Sequence, residues 1–98
     1  LYASHSLGIN NVNHLANTLI ELDCSSEWCY IKQEGIKDLK VLQKLNAHDN
    51  EKINNVNHLA NTLIELDCSD NCGIDQEGIM QLNKLKILNL YKNENINN

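Results

Sequence analysis

Apolar residues recur along the chain in a frame of fixed spacing, L-x-x-L-x-(L/C/A)-x-x-N, with polar residues filling the gaps. The frame reads Leu42, Leu45, Ala47, Asn50; then Leu63, Leu66, Cys68, Asn71; then Leu85, Leu88, Leu90, Asn93. An earlier copy runs Leu19, Leu22, Cys24, with Trp28 at the asparagine position, and a partial copy opens the chain with Leu1, Ala3 and Ser6. Residues two apart in an extended segment point to the same face, so each frame predicts a short strand. The expected strands lie near 1–3, 21–24, 44–47, 65–68 and 87–90. After the asparagine the period changes. Ile74, Ile79, Leu82 and Leu85 have helical spacing, as do Val56, Leu59, Ala60 and Leu63 in the alternate copies, so a short helix is expected after each strand. Asp75 is placed to cap one of these and Asn54 or Asn55 the other. Gly35 and Gly78 mark a close approach or a special dihedral at the helix starts.

The chain also repeats itself outright. The 17 residues "INNVNHLANTLIELDCS" from Ile9 return unchanged from Ile53, displaced by 44, and "QEGIKDLKVLQKLNAHDNEKINN" from Gln33 aligns with "QEGIMQLNKLKILNLYKNENINN" from Gln76, displaced by 43. One residue has therefore been gained or lost near Glu27 and Trp28. The anchors Leu1, Leu22, Leu45, Leu66 and Leu88 stand 21, 23, 21 and 22 residues apart, a period of about 22 in two alternating flavours.

This pattern resembles the leucine-rich repeat family, whose units run about 20–29 residues, a strand followed by a helix or 3-10 turn. The resemblance covers essentially all of residues 1–98. It implies an α/β fold, a right-handed solenoid with a short parallel sheet on its concave side and short α or 3-10 helices on its convex side. About four and a half repeats then form a single segment, expected to belong to a longer array because solenoids need capping repeats at their ends. Two departures leave the turn open: Cys or Ala replaces a strand leucine, and Ile53, Ile74 and Ile96 follow the asparagine by three residues. Asn50, Asn71 and Asn93 are expected to point inward and bond backbone groups at the turn, with Trp28 making the second turn irregular.

Composition narrows the function. The net charge is −5 and all eight basic residues are lysines, a poor grip for phosphate backbones, so no nucleic-acid partner is expected. No apolar run approaches the roughly 18 residues that span a bilayer, so no membrane role is expected either. Asparagine occurs 17 times and proline never, but the asparagines fall at fixed places in the leucine pattern, unlike a disordered tract. A start at Leu1 rather than Met points to an excised or processed piece.

Four cysteines raise the question of disulfides or zinc. Cys24 and Cys68 take the second strand position, two rungs or roughly 10 Å apart in a parallel ladder, beyond the limit of about 7 Å between Cα atoms of a disulfide. Cys29 and Cys72 fail likewise, and joining Cys24 to Cys29 would twist an inward residue out of the core. No histidine pair completes a zinc set, so neither metal nor cofactor is expected. Free buried thiols suit an intracellular, cytoplasmic setting. His14 and His58 belong on the solvated helical side. His48 should project beside Ser25 and Ser69 with aspartates near, a remote hydrolase arrangement, but flat strands offer neither an oxyanion hole nor a sharp nucleophile turn. No catalysis is expected.

Outward strand positions read in columns. One runs Glu21, Lys44, Glu65, Ile87; the next Tyr2, Asp23, Asn46, Asp67, Asn89; a third Ser4, Ser25, His48, Ser69, Tyr91; the last His5, Ser26, Asp49, Asp70, Lys92. Six acids face two lysines, which places −4 of the chain's −5 on this surface. Because leucine-rich repeat proteins are mostly interaction modules, the resemblance implies a protein partner, one that a basic patch would steer to this face. The expected contact set is Glu21, Asp23, Ser25, Lys44, Asn46, His48, Asp49, Glu65, Asp67, Ser69, Asp70, Asn89 and Tyr91. The competing expectation is a scaffold segment that self-associates end to end through uncapped repeats.

Overall fold

In the computed structural model, which describes residues 1–96, the leucine frames become four strands: β1 (Glu21–Asp23), β2 (Lys44–Asn46), β3 (Glu65–Asp67) and β4 (Ile87–Asn89). They form one parallel sheet in the order β1-β2-β3-β4, with Leu22, Leu45, Leu66 and Leu88 on successive rungs. Each strand is three residues long, yet the ladder runs one bond further: Cys24 N–H donates to Asn46 O at 2.9 Å, Ala47 N–H to Asp67 O at 2.8 Å and Cys68 N–H to Asn89 O at 3.0 Å. The strand expected at 1–3 is a single parallel bridge, Tyr2 to Asp23.

Alternation explains the core. The middle residue of β1, β2 and β3 is no more than 3% exposed, while its neighbours on either side face out. Val12, Ile36, Leu39, Val56, Leu59 and Leu63 pack behind the sheet into the same apolar cluster. In the β4 unit, Leu82, Leu85, Leu88 and Leu90 are only partly buried.

The segments between strands fall mostly on the 3-10 side of the expected α or 3-10 helices. Asn13–Leu15, Gln33–Gly35 and Asn57–Leu59 are single 3-10 turns, and only Gln76–Ile79 (α1) is α-helical. Capping accounts for the difference between two copies of the same QEGI sequence. Asp75 precedes α1 and its Oδ1 accepts from Gly78 N–H at 2.9 Å. Lys32 holds the corresponding place before Gln33 and provides no cap, because an ammonium offers only donors to a turn that needs an acceptor. Of the two candidate asparagines, Asn55 Oδ1 accepts from Asn57 N–H at 2.9 Å, whereas Asn54 uses its backbone N–H on Gln33 Oε1 at 2.9 Å.

The duplication in sequence recurs as duplicated stitching between units. Asn13 donates to Glu34 O at 2.8 Å and accepts from Asp38 N–H at 2.8 Å; Asn57 donates to Glu77 O at 2.8 Å and accepts from Gln81 N–H at 2.9 Å. A Cβ at Gly35 would strike the carbonyl oxygen of Asn10, and one at Gly78 that of Asn54. These glycines are needed for close packing.

One turn expectation is overturned. Asn50 is inward, 1% exposed, donating to Cys24 O at 2.8 Å and Ile31 O at 3.2 Å and accepting from Lys52 N–H at 2.9 Å. Asn93 does the same for Cys68 O at 2.6 Å. Asn71, however, is exposed, and Cys72 is buried instead, as is Cys29 in the β1 turn. Gly73 lies so close to the carbonyls of Glu51 and Ile53 that no Cβ would fit. The inward slot thus alternates between cysteine and asparagine.

The residue three past each strand, Ser26, Asp49, Asp70 or Lys92, has positive φ, the left-handed conformation that reverses the chain. Ser26 is the outlier at 90° against 56° to 59° for the others. It begins the turn that absorbs the extra residue, where Trp28 sits outside. Among the described residues no helix is long and apolar enough to cross a membrane.

Candidate binding face

Side chains that alternate away from the core line a groove of about 410 Å³ on the sheet's open face. Of the expected contact residues, Glu21, Asp23, Lys44, Asn46, Glu65, Asp67 and Asn89 line it. Tyr2 and Ile87 line it too, 82% and 56% exposed. Both stand in the sequence columns but outside the expected contact set, although the column position is a signal that finds them.

The two central columns differ electrostatically. Lys44 Nζ lies 3.7 Å from Glu21 Oε1 and 3.7 Å from Glu65 Oε1, so one cation answers two carboxylates. These side chains are solvated, and such pairs contribute little to stability. The neighbouring column holds Asp23 and Asp67 with asparagines between and after them. Asp23 Oδ1 accepts from Ser25 N–H at 3.0 Å and Ser25 Oγ–H at 2.6 Å, and Asp67 Oδ1 does so from Ser69 at 3.0 and 2.6 Å. Asn46 accepts from His48 N–H at 3.1 Å and Asn89 from Tyr91 N–H at 3.0 Å. Either residue type closes this turn.

Ser25, His48, Asp49, Ser69, Asp70 and Tyr91 lie outside the groove lining, past the strand ends. His48 Nδ1 is 2.8 Å from Ser69 Oγ and 3.2 Å from Asp70 Oδ2, and its Nε2 is 3.4 Å from Asp49 Oδ2. The hydroxyl proton of Ser69 is committed to Asp67, so His48 Nδ1 donates to the serine oxygen. Asp70 lies beside that same nitrogen, whose single proton the two acceptors share, and a donor for Asp49 exists only when Nε2 is protonated as well. The donor atoms of His48, Asp49 and Asp70 also fall within 4.8 Å of one another, so these three side chains are where a cation would find ligands. Among the described residues the Ser25 hydroxyl bonds its own Asp23 alone. Tyr91 stands out at 66% exposure with Lys92 Nζ 5.4 Å from its ring.

All four cysteines are free and buried. Burial pushes the Cys24 thiol well above its ordinary value, with the nearby Cys29 adding to it, and burial also raises Cys29. Cys68 is raised first by donating its S–H to Cys72 and then by burial. In the unfolded chain these thiols titrate near about 8.5. Cys72, which accepts the Cys68 S–H, is lowered by that bond and opposes the other three. Cys24, Cys29 and Cys68 keep protons in the native state that the unfolded state loses, so on balance stability falls as pH rises past that value. The melting temperature is expected to hold steady between about pH 7 and 8 and to fall from about pH 9 upward; a flat profile to pH 10 contradicts it. A thiol reagent at neutral pH should label none of the four in the native protein within minutes and all of them in guanidinium.

Comparison of the chain with protein-family models, with curated proteins and with solved structures finds no match.

Proposed function

We propose that this chain is a leucine-rich repeat solenoid, and that it binds a protein partner carrying a basic patch through the open, concave face of its sheet. The fold part rests on four equivalent rungs, on units stitched alike by Asn13 and Asn57, and on the 22-residue period. The functional part rests on one observation. Glu21, Asp23, Glu65 and Asp67 share a groove in which Lys44 is the one cationic side chain among the described lining residues. Summed negative potential in a concave site raises the encounter rate with a cationic partner. The free buried thiols fit an intracellular home.

The test compares partners captured by the wild type with those captured by a variant carrying Lys at positions 21, 23, 65 and 67. Binding should be lost in the variant and weakened in the wild type by salt. A variant that keeps every partner ends this reading.

A second reading has its own support. The β4 unit leaves Leu82, Leu85, Leu88 and Leu90 partly buried, whereas the β2 unit buries Leu39, Leu42 and Leu45. Stacking of copies end to end would cover the former. Sedimentation showing a strict monomer at high concentration disposes of it. Hydrolysis has less to recommend it: Ser69 is 3% exposed and its proton points at Asp67 rather than at His48. Any ester turnover should survive His48→Ala unchanged.

A further inference from the structure

The aspartate column carries more charge than the fold requires. Asn46 and Asn89 make the same N–H contact that Asp23 and Asp67 make, so the fold needs an acceptor at these rungs and not an anion. The glutamate column is answered by Lys44; the aspartate column contains no cation. Asp23 and Asp67 stand two rungs apart, about 10 Å at roughly 4.8 Å per rung.

From these observations, and resting on the function proposed above, we propose that the groove takes a peptide segment in the polyproline II conformation, lying across the strands. Two of its basic side chains, three residues apart, pair with Asp23 and Asp67.

The spacing decides among conformations. A polyproline II segment rises about 3.1 Å per residue with three residues per turn, so residues i and i+3 share a face about 9.3 Å apart. An extended strand puts same-face residues about 6.7 or 13 Å apart. A helix offers about 10.5 Å at i and i+7, but its own backbone bonds are closed. Polyproline II leaves its carbonyls free, and the Asn46 side-chain nitrogen, between the two aspartates, has no hydrogen-bond partner within the described residues and is placed to donate to one. Tyr2 heads the same column one rung before Asp23 and exposes its ring into the groove, a surface of the kind on which prolines dock.

Rigid oligoproline peptides make the ruler. Two arginines are placed three residues apart in one peptide and two apart in another, where they project in different directions, and binding is read by fluorescence anisotropy. The three-apart peptide should bind about fivefold or more tightly, and Asp23→Asn or Asp67→Asn should each lower its affinity about fivefold, the upper range for a solvated ion pair. The two losses should multiply to about 25-fold, since the sites share no partner. Thermal melts of these variants should match the wild type, because asparagine already serves at the equivalent rungs. Equal affinity for both spacings, tighter binding of a helical peptide with arginines at i and i+7, or indifference to both asparagine substitutions overturns the inference. Were an asparagine variant to lose its fold, the two spacings compared on the unsubstituted protein still decide. Failure of the ruler alongside loss of partners in the four-lysine variant leaves the acidic-face reading standing and removes only the conformation and spacing.

Discussion

Replacing Asn50 with alanine is expected to destabilise the protein by about 2–4 kcal/mol, while the same change at Asn71 should shift stability by no more than about 0.5 kcal/mol. The two asparagines hold the same place in the sequence frame, and their surroundings differ completely. Asn50 is 1% exposed and makes three bonds that close the turn between units. Its side chain satisfies the Cys24 and Ile31 carbonyls, and alanine would leave those acceptors buried with no water to replace the lost donor. The cost of stranding buried polar groups, rather than the modest net gain from forming a bond, sets the size of the effect. Asn71 lies at the surface, and its backbone N–H, which bonds Asp49 Oδ1 at 3.1 Å, survives the substitution. Urea unfolding of both variants checks the pair, and equal losses would mean that the alternation of cysteine and asparagine in the inward slot is misplaced.

Gly78→Ala is expected to cost about 3 kcal/mol, at the upper end for overpacking, because the new methyl would meet the Asn54 carbonyl oxygen rather than a side chain that can move aside. The Gly78 carbonyl also accepts from Val56 N–H at 2.9 Å, so displacement of the backbone would loosen the preceding unit as well. Gly8→Ala provides the contrast. Nothing lies within 4 Å of a Cβ there, and the loss of unfolded-state freedom should make that change neutral or stabilising by about 0.5 kcal/mol. Thermal unfolding of the two alanine variants separates a steric requirement from a general intolerance of substitution.

These cases show what a sequence pattern carries and where it stops. The rungs were readable because period-2 alternation is fixed by strand geometry, so Leu22, Leu45, Leu66 and Leu88 had to share a face. The duplication made their equivalence visible twice over. The outward columns followed from the same alternation, which is why seven expected contact residues do share a groove. Helix type was not legible. Local apolar spacing cannot tell a 3-10 turn from an α-helical one, and the outcome turned on a cap, present at Asp75 and absent at Lys32. Asn71 holds the same frame position as Asn50 yet faces out, while Cys72 takes the inward slot, a difference that no local frame contains. The rim residues around His48 were placed near one another by column, but left-handed turns at Asp49 and Asp70 carry them away from the strands' flat face.

The proposed function requires the sheet's open face to be the surface that meets a partner. Amide chemical-shift mapping tests this most directly: an isotopically labelled sample is titrated with a lysine- and arginine-rich peptide at low salt. Perturbations should concentrate on Glu21–Asp23, Lys44–Asn46, Glu65–Asp67 and Ile87–Asn89 and fade as salt is raised. Perturbations centred on Asn13–Leu15, Asn57–Leu59 and Gln76–Ile79 instead, or none on the strands at saturation, would contradict it.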